Sequence, residues 1–200
     1  MKKFDRLPPE KRKEEIKAAA MELFLNKGFA ATTMENIVEK VSLSKGGLYR
    51  LYPSTADILS DLMIDGMRLR NAFYIQRATE VMEKGEKLEI RKIVDMICDS
   101  LLLYPEVSGL YVEFLWEKRR NEKLESLYQQ ICAISVEETL QLAKTCQAEE
   151  ILDLKTMELI TELMNTAILG IHILGIEESF LKNKEVLAEI LTEVLLKQKK

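Results

Sequence analysis

The sequence predicts an all-α protein in two parts, a small N-terminal helix-turn-helix domain over residues 1–53 and a larger helical body over residues 54–200. Three observations predict it. Apolar residues recur at three- and four-residue spacing along nearly the whole chain, which is the signature of helices buried on one side. Nowhere does a strand-length run alternate apolar and polar residues. Prolines stand only at positions 8, 9, 53 and 105, so a single proline interrupts everything after residue 53.

Residues 1–9 read as a loose N-terminal arm, followed by a helix that buries Ile16, Ala19, Ala20, Leu23 and Phe24 and stops at Gly28, a glycine in the position that ends helices. Lys11, Arg12, Lys13 and Lys17 cluster at its start. They either touch a nucleic-acid backbone or form a solvated basic turn. Two short helical patterns come next. Met34, Ile37, Val38 and Val41 make one apolar stripe, capped by Thr32 with Glu35 as the returning half of a capping box, or by Thr33. Ser44 caps the second, whose buried side is Leu48, Leu51 and Tyr52, and Pro53 ends it because the residue before a proline is excluded from helical geometry. Ser54 caps the next helix, with Asp57 near its positive end.

Two short helices joined by a tight turn form a helix-turn-helix, whose second helix can enter the major groove of DNA. Its outward side carries Lys45, Gly46, Gly47, Tyr49 and Arg50. Lysine and arginine reach phosphates or guanine edges, and tyrosine offers a ring and a hydroxyl. The alternative is a solvated helical hairpin.

Composition narrows the function classes. Two hundred residues with 47% hydrophobic and 31% charged content describe an ordinary globular chain able to bury a sizeable core. Cys98, Cys132 and Cys146 lie far apart without metal-ligand spacing, and Met1-Lys2-Lys3 leads into prolines and charges and not into an apolar segment; a reducing cytoplasm is expected, with no metal and no cofactor. The apolar stretch from Leu163 to Ile176 is interrupted by Asn165, Thr166 and His172 and reads as too short to cross a membrane. One histidine and no nucleotide-loop, zinc-protease or nucleophile-elbow motif argue against catalysis, so no catalytic residue is expected. The net charge of −4 conceals an asymmetry: the first sixty residues hold eleven basic and eight acidic side chains, the remainder eighteen and twenty-five. A basic head on an acidic body suits phosphate contacts at one end.

The body reads as helices near residues 54–82, 87–103, 106–119, 122–146, 154–175 and 183–198. Leu187, Ile190, Leu191, Val194 and Leu195 form one apolar face of the last helix. Ile160, Leu163, Met164, Ala167, Ile168, Ile171 and Leu174 spread around most of the helix before it. A helix apolar nearly all round needs cover on several sides, supplied within one chain or by a second copy.

The run IKAAAMELFLNKGFAATTMENIVEKV, then SLSKGGLYRLYPS, then an acidic residue before Ile58-Leu59, resembles the DNA-binding domain of the TetR/AcrR family of bacterial transcriptional repressors. The resemblance covers about the first third of the chain; the rest is similar in length and helical character. It implies a homodimeric, cytoplasmic, ligand-responsive repressor bound to double-stranded palindromic operator DNA, with no membrane partner. It also implies an effector-binding and dimerisation role for residues 54–200. The remaining alternative is a helical small-molecule-binding or interaction protein whose helix-turn-helix does not bind DNA.

Residue by residue, the resemblance implies phosphate anchoring by Thr33, Ser44, Tyr52 and Thr55, and base or groove contacts by Lys45, Gly46, Gly47, Tyr49 and Arg50. For the dimer interface it implies Ile160, Leu163, Ala167, Ile171, Leu187, Ile190, Leu191 and Val194. A pocket for a small hydrophobic effector is expected among Met67, Met96, Ser100, Tyr111, Phe114, Trp116, Tyr128, Cys132 and Met164, residues that serve equally as plain core. Glu113 and Glu117 flank Trp116 and can hold a cationic ligand or pair with Lys118, Arg119 or Arg120. His172 reads as a core or interface histidine. The chain departs from the family pattern at Ser42, in place of the usual turn glycine, and at Gly47, Leu51 and Thr55, where threonine, histidine and lysine are frequent.

Overall fold

A computed structural model describes residues 8–198, with the side chain of residue 198 left aside; the expected arm at residues 1–7 lies outside them. The described residues form nine α-helices and no strand. They are α1 (Pro9–Lys27), α2 (Met34–Lys40), α3 (Lys45–Leu51), α4 (Thr55–Glu83), α5 (Ile90–Ser100), α6 (Pro105–Glu117), α7 (Glu122–Thr145), α8 (Leu154–Leu174) and α9 (Glu177–Gln198), with a short 3-10 turn at Lys118–Arg120.

Pro9 opens α1 at its first helical position, where a missing N–H costs nothing and the ring presets the backbone. Gly28 closes it at φ 86, a conformation that glycine adopts without strain. At the other end of the chain the structure corrects an expectation. Residues from Gly175 to Asn183 read as a loop, yet α9 begins at Glu177. Gly175 adopts the left-handed conformation at φ 62, Ile176 donates its N–H back to the Ile171 carbonyl at 3.3 Å, and Glu177 and Glu178 occupy the first turn of α9. One glycine is enough for the reversal, and acidic residues favour the positive helix end.

The chain divides into two compact units. The first runs to Gly66 and takes in Gly109–Cys132; the second comprises Met67–Ser108 and the chain from Ala133. Packing therefore divides the chain beyond residue 53 and brings a distant segment into the first unit. In that unit Ile16, Ala20, Phe24, Ile37, Leu48, Ile58 and Leu59 are buried together with Leu110, Phe114 and Leu124. The second half of α6 and the start of α7 thus complete the core under the helix-turn-helix.

In the second unit Ala78, Ile93, Cys146 and Ala148 pack together, and α9 lies against α5 and α8. Ion pairs tie α9 to α5: Arg91 Nη2 to Glu185 at 2.7 Å and Lys184 Nζ to Asp99 at 2.6 Å. The outer sides of α8 and α9 are apolar and open to solvent. Ile173, Leu174, Val186 and Ile190 are each more than half exposed, and Leu163, Leu187 and Val194 lie in the same helices at 36–40%. Of the residues expected at a dimer interface, Leu163, Leu187, Ile190 and Val194 face outward, and Ala167 and Leu191 are half-buried. Ile171 is buried in its own unit and Ile160 lines a crevice with Ile93 and Leu195. Ile160 faces inward because Leu195 of α9 lies on that side of α8. By length and composition α8, at 21 residues, is apolar enough to cross a membrane, which the interrupted stretch from Leu163 had concealed.

Candidate nucleic-acid interface

Thr33 caps α2. Its Oγ1 accepts the Asn36 N–H at 3.3 Å while the Asn36 side-chain oxygen accepts the Thr33 N–H at 3.0 Å, so the reciprocal box joins Thr33 to Asn36 and not Thr32 to Glu35. Thr32 is buried, with its hydroxyl donating to the Gly28 carbonyl at 2.8 Å. Glu35 is thereby left on the exposed side of the first turn.

The turn between α2 and α3 is held from α1. The Ser42 N–H donates to Glu15 Oε1 at 2.6 Å, and Arg12 Nη1 donates to the Ser42 carbonyl at 3.2 Å and to Glu15 Oε2 at 2.8 Å. The Ser42 N–H, helped by the Arg12 guanidinium and against the opposing effect of burial, holds the Glu15 carboxyl below its ordinary range. Serine replaces glycine at position 42 without strain, since Tyr104 and Gln147 alone among the described non-glycine residues have positive φ. This arrangement corrects the reading of the basic cluster. Arg12 and Lys17 are turned inward, Lys17 pairing with Asp65 and Glu14, while Lys13 lies 4.0 Å from Asp61.

Ser44 caps α3, its hydroxyl accepting the Gly47 N–H at 3.2 Å. Leu48 faces the core at 0% exposure. Gly46 is open on its outer side, whereas a Cβ at Gly47 would come within 3.1 Å of Leu43 Cδ2. Glycine at 47 thus answers a close approach within the turn. Outward stand Lys45, Tyr49 at 40% exposure and Arg50. Lys45 Nζ lies 5.8 Å from the Tyr49 ring centre and 2.5 Å from Glu35 Oε1, and this bond raises the lysine pKa and lowers that of the glutamate.

The structure brings Thr33, Ser44, Lys45, Gly46, Tyr49 and Arg50 to exposed positions and leaves Gly47 and Thr55 half-exposed. Tyr52 is different. At 3% exposure it is a core residue whose hydroxyl donates to Asp61 at 2.7 Å, and burial raises its pKa. Its expected phosphate contact is corrected to a supporting role, because the Leu48–Tyr52 spacing places both rows on the buried side.

Contacts that no sequence signal foretold steady the surrounding frame. Lys123 Nζ on α7 bridges Ser54 Oγ at 2.9 Å and Asp57 Oδ2 at 2.8 Å at the start of α4. Glu113 on α6 accepts the Phe29 N–H, and burial raises its pKa despite that bond. Glu113 therefore neither waits for a cationic ligand nor pairs with its basic neighbours. Lys118 turns to Glu125 at 2.7 Å, and Arg119 stacks near the Trp116 ring at 5.3 Å.

The residues expected to line one pocket fall in both units. Tyr111, Phe114, Tyr128 and Cys132 belong to the first, where Phe114 is fully buried 6.1 Å from the Tyr128 ring. Trp116 is exposed at 53% and borders a surface recess with Arg119 and Arg120, with none of the other expected residues. Met67, Met96, Ser100 and Met164 belong to the second unit. There the Tyr74 hydroxyl lies 2.7 Å from Ser100 Oγ and 3.9 Å from the Met164 sulfur. Among the described residues no cluster of potential metal ligands occurs.

Comparison with known proteins fits this geometry. The model of the family of bacterial regulatory proteins named tetR matches residues 16–62, the span from the supporting helix α1 into α4. Over that span the chain carries a tetR-type DNA-binding domain. It is similar to the HTH-type transcriptional regulator YfiR of Bacillus subtilis, at 38% identity over 58 residues, which is 29% of this chain and 28% of that protein. Over nearly the whole chain the fold is similar to Salmonella enterica GusR (19% identity, 95% of this chain and 96% of that one, TM-score 0.67). It is also similar to the transcriptional regulator FadR of Bacillus subtilis, solved with stearoyl-CoA (16% identity, 90% and 97%, TM-score 0.65). The family is one of transcriptional regulators and not of enzymes.

Proposed function

We propose that this chain is a homodimeric repressor of the TetR family that binds palindromic operator DNA through α3 and releases it when a small hydrophobic molecule occupies the second unit. The observation that carries this reading is the outward set of Lys45, Tyr49 and Arg50 on a helix whose opposite side, Leu48, is wholly buried. Such a helix can enter a major groove without disturbing its own packing. Thr33, Ser44 and Thr55 are the phosphate contacts, and Gly46 and Gly47 allow close approach of the backbone.

Dimerisation follows from the exposed apolar sides of α8 and α9, where Leu163, Leu187, Ile190 and Val194 face solvent. A second copy covers such a patch with the same patch. Two-fold symmetry then sets two recognition helices about 34–36 Å apart, one turn of duplex. Repression is relieved when an effector shifts the population away from that spacing.

The effector reading rests on side chains of the second unit. Met96 and Met164 are adaptable wall residues, and the Ser108 hydroxyl is buried without a hydrogen-bond partner among the described residues, an arrangement that calls for one. Because the similarly folded FadR was solved with stearoyl-CoA, acyl-CoAs lead the set of compounds for a thermal-shift screen, ahead of lipophilic cations and antibiotics. The DNA reading is tested by mobility shift on the DNA upstream of the chain's own coding sequence. Lys45→Ala or Tyr49→Ala abolishes the specific shift while helicity and dimerisation are retained. A specific shift that survives both substitutions refutes the assignment.

A further inference from the structure

Of the two cations on the outer side of α3, one is already answered within the protein. Lys45 Nζ lies 2.5 Å from Glu35 Oε1, both side chains more than half exposed, whereas Arg50 makes no ion pair with any described residue. Glu35 comes from the first turn of α2, within the Thr33–Asn36 capping box, so its backbone is fixed. Tyr49 flanks the pair, with its ring centre 5.8 Å from Lys45 Nζ.

That geometry has a consequence for any duplex. A lysine that moves to a phosphate normally gains an ion pair and releases counterions. Lys45 must first give up Glu35, so it exchanges one ion pair for another, and the carboxylate it leaves faces the phosphates. Every sequence bears this cost equally. A sequence recovers it only by giving the pair base partners: guanine O6 and N7 for the ammonium, and the cytosine N4 amine for the carboxylate. We propose that Glu35 is a specificity-determining residue of the DNA interface, which holds Lys45 off the phosphates of non-cognate duplex. The inference rests on the DNA-binding reading above.

The full-length wild type, Glu35→Gln, Glu35→Asp, Lys45→Ala and the Glu35→Gln/Lys45→Ala double variant are titrated over a range of salt. The probes are a random-sequence duplex and the chain's own upstream DNA, with helicity and dimerisation checked by circular dichroism and sedimentation. Glu35→Gln is expected to bind the random duplex several-fold more tightly, with a salt slope steeper by about 0.9 for one added phosphate contact. The ratio of upstream to random affinity falls. Glu35→Asp, which keeps the charge but falls one methylene short of Lys45, moves the slope the same way. In the Lys45→Ala background the Glu35→Gln change leaves the slope unaltered. An unchanged slope in Glu35→Gln, or a steepening that persists without Lys45, overturns the proposal. Wild-type protein that binds neither duplex overturns the DNA-binding reading itself, a result distinct from wild type that binds while Glu35→Gln behaves identically.

Discussion

The two compact units use polarity in opposite ways. Around the helix-turn-helix, charged side chains are drawn inward: Arg12 at 6% and Lys17 at 8% exposure are engaged by Glu15, Ser42 and Asp65. On α8 and α9 of the second unit, hydrocarbon is pushed outward, with Leu174 at 70%, Ile173 at 62% and Ile190 at 54%. A recognition helix seven residues long cannot hold itself in place, so the first unit needs directional bonds that aim it. A self-complementary surface needs no aim before its partner arrives, only area removable from water. Buried charge marks the place where orientation matters, and under the proposed dimer the exposed hydrocarbon marks the place where association does.

Substitutions that invert these roles test the contrast, the largest effect coming from the exposed face. Leu187→Asp with Ile190→Asp places two charges where a second copy is expected, and burying them there predicts a loss of at least about 2 kcal/mol in dimer stability. Sedimentation should show monomers with unchanged helicity; an intact dimer would locate the interface elsewhere. Glu15→Ala in the first unit removes the carboxylate that faces buried Arg12 and the Ser42 N–H. Its cost of about 1.5–3 kcal/mol in thermal or denaturant unfolding should exceed that of any exposed carboxylate on the same helix. Because the folded Glu15 pKa is lowered, its contribution is present above the ordinary glutamate pKa and is lost as pH falls through the folded value. Acid titration of wild type against Glu15→Gln checks that sign.

Glu113 sharpens the contrast further, because its pKa is raised. The native state then binds its proton more readily than the unfolded chain does, and this group's contribution improves as pH falls through its folded value. Glu113→Gln, which keeps an acceptor for the Phe29 N–H, should be neutral or stabilising at pH 7. Glu113→Ala strands that N–H at a cost of about 1–3 kcal/mol. Equal losses in both variants would show that the charge itself matters. The smallest effect separates the two glycines of α3. Gly46→Ala meets open space and gains up to about 1 kcal/mol of helix propensity. Gly47→Ala forfeits that gain against Leu43 Cδ2 at 3.1 Å, and the two melting temperatures separate accordingly.

Helix positions were legible because they depend on neighbours a few residues away. Pro9, Gly28, Ser44 and Gly175 act within one turn of themselves, and the stripe from Met34 to Val41 reports a local period. The misread segment before Asn183 shows the limit of that logic, since a polar helical turn and a polar loop have the same composition. The outer side of α3 was legible for the same reason: once Leu48 is buried, Lys45, Tyr49 and Arg50 must lie away from it. Tyr52 was not, since an aromatic side chain with a hydroxyl suits a phosphate and a core equally, and Asp61 decides between them.

Local order along the chain thus specified all-helical structure, the helix-turn-helix and the identity of its exposed residues, because each is a matter of spacing within about one turn. Packing alone settled which charges became clamps and which apolar residues stayed outside. Glu15 meets Ser42 across 27 positions and Glu113 meets Phe29 across 84, and Ile171 is buried while Ile173 on the same helix is not. Which way a side chain of a known helix faces its neighbours is a property of the assembled helices, and no short-range pattern contains it.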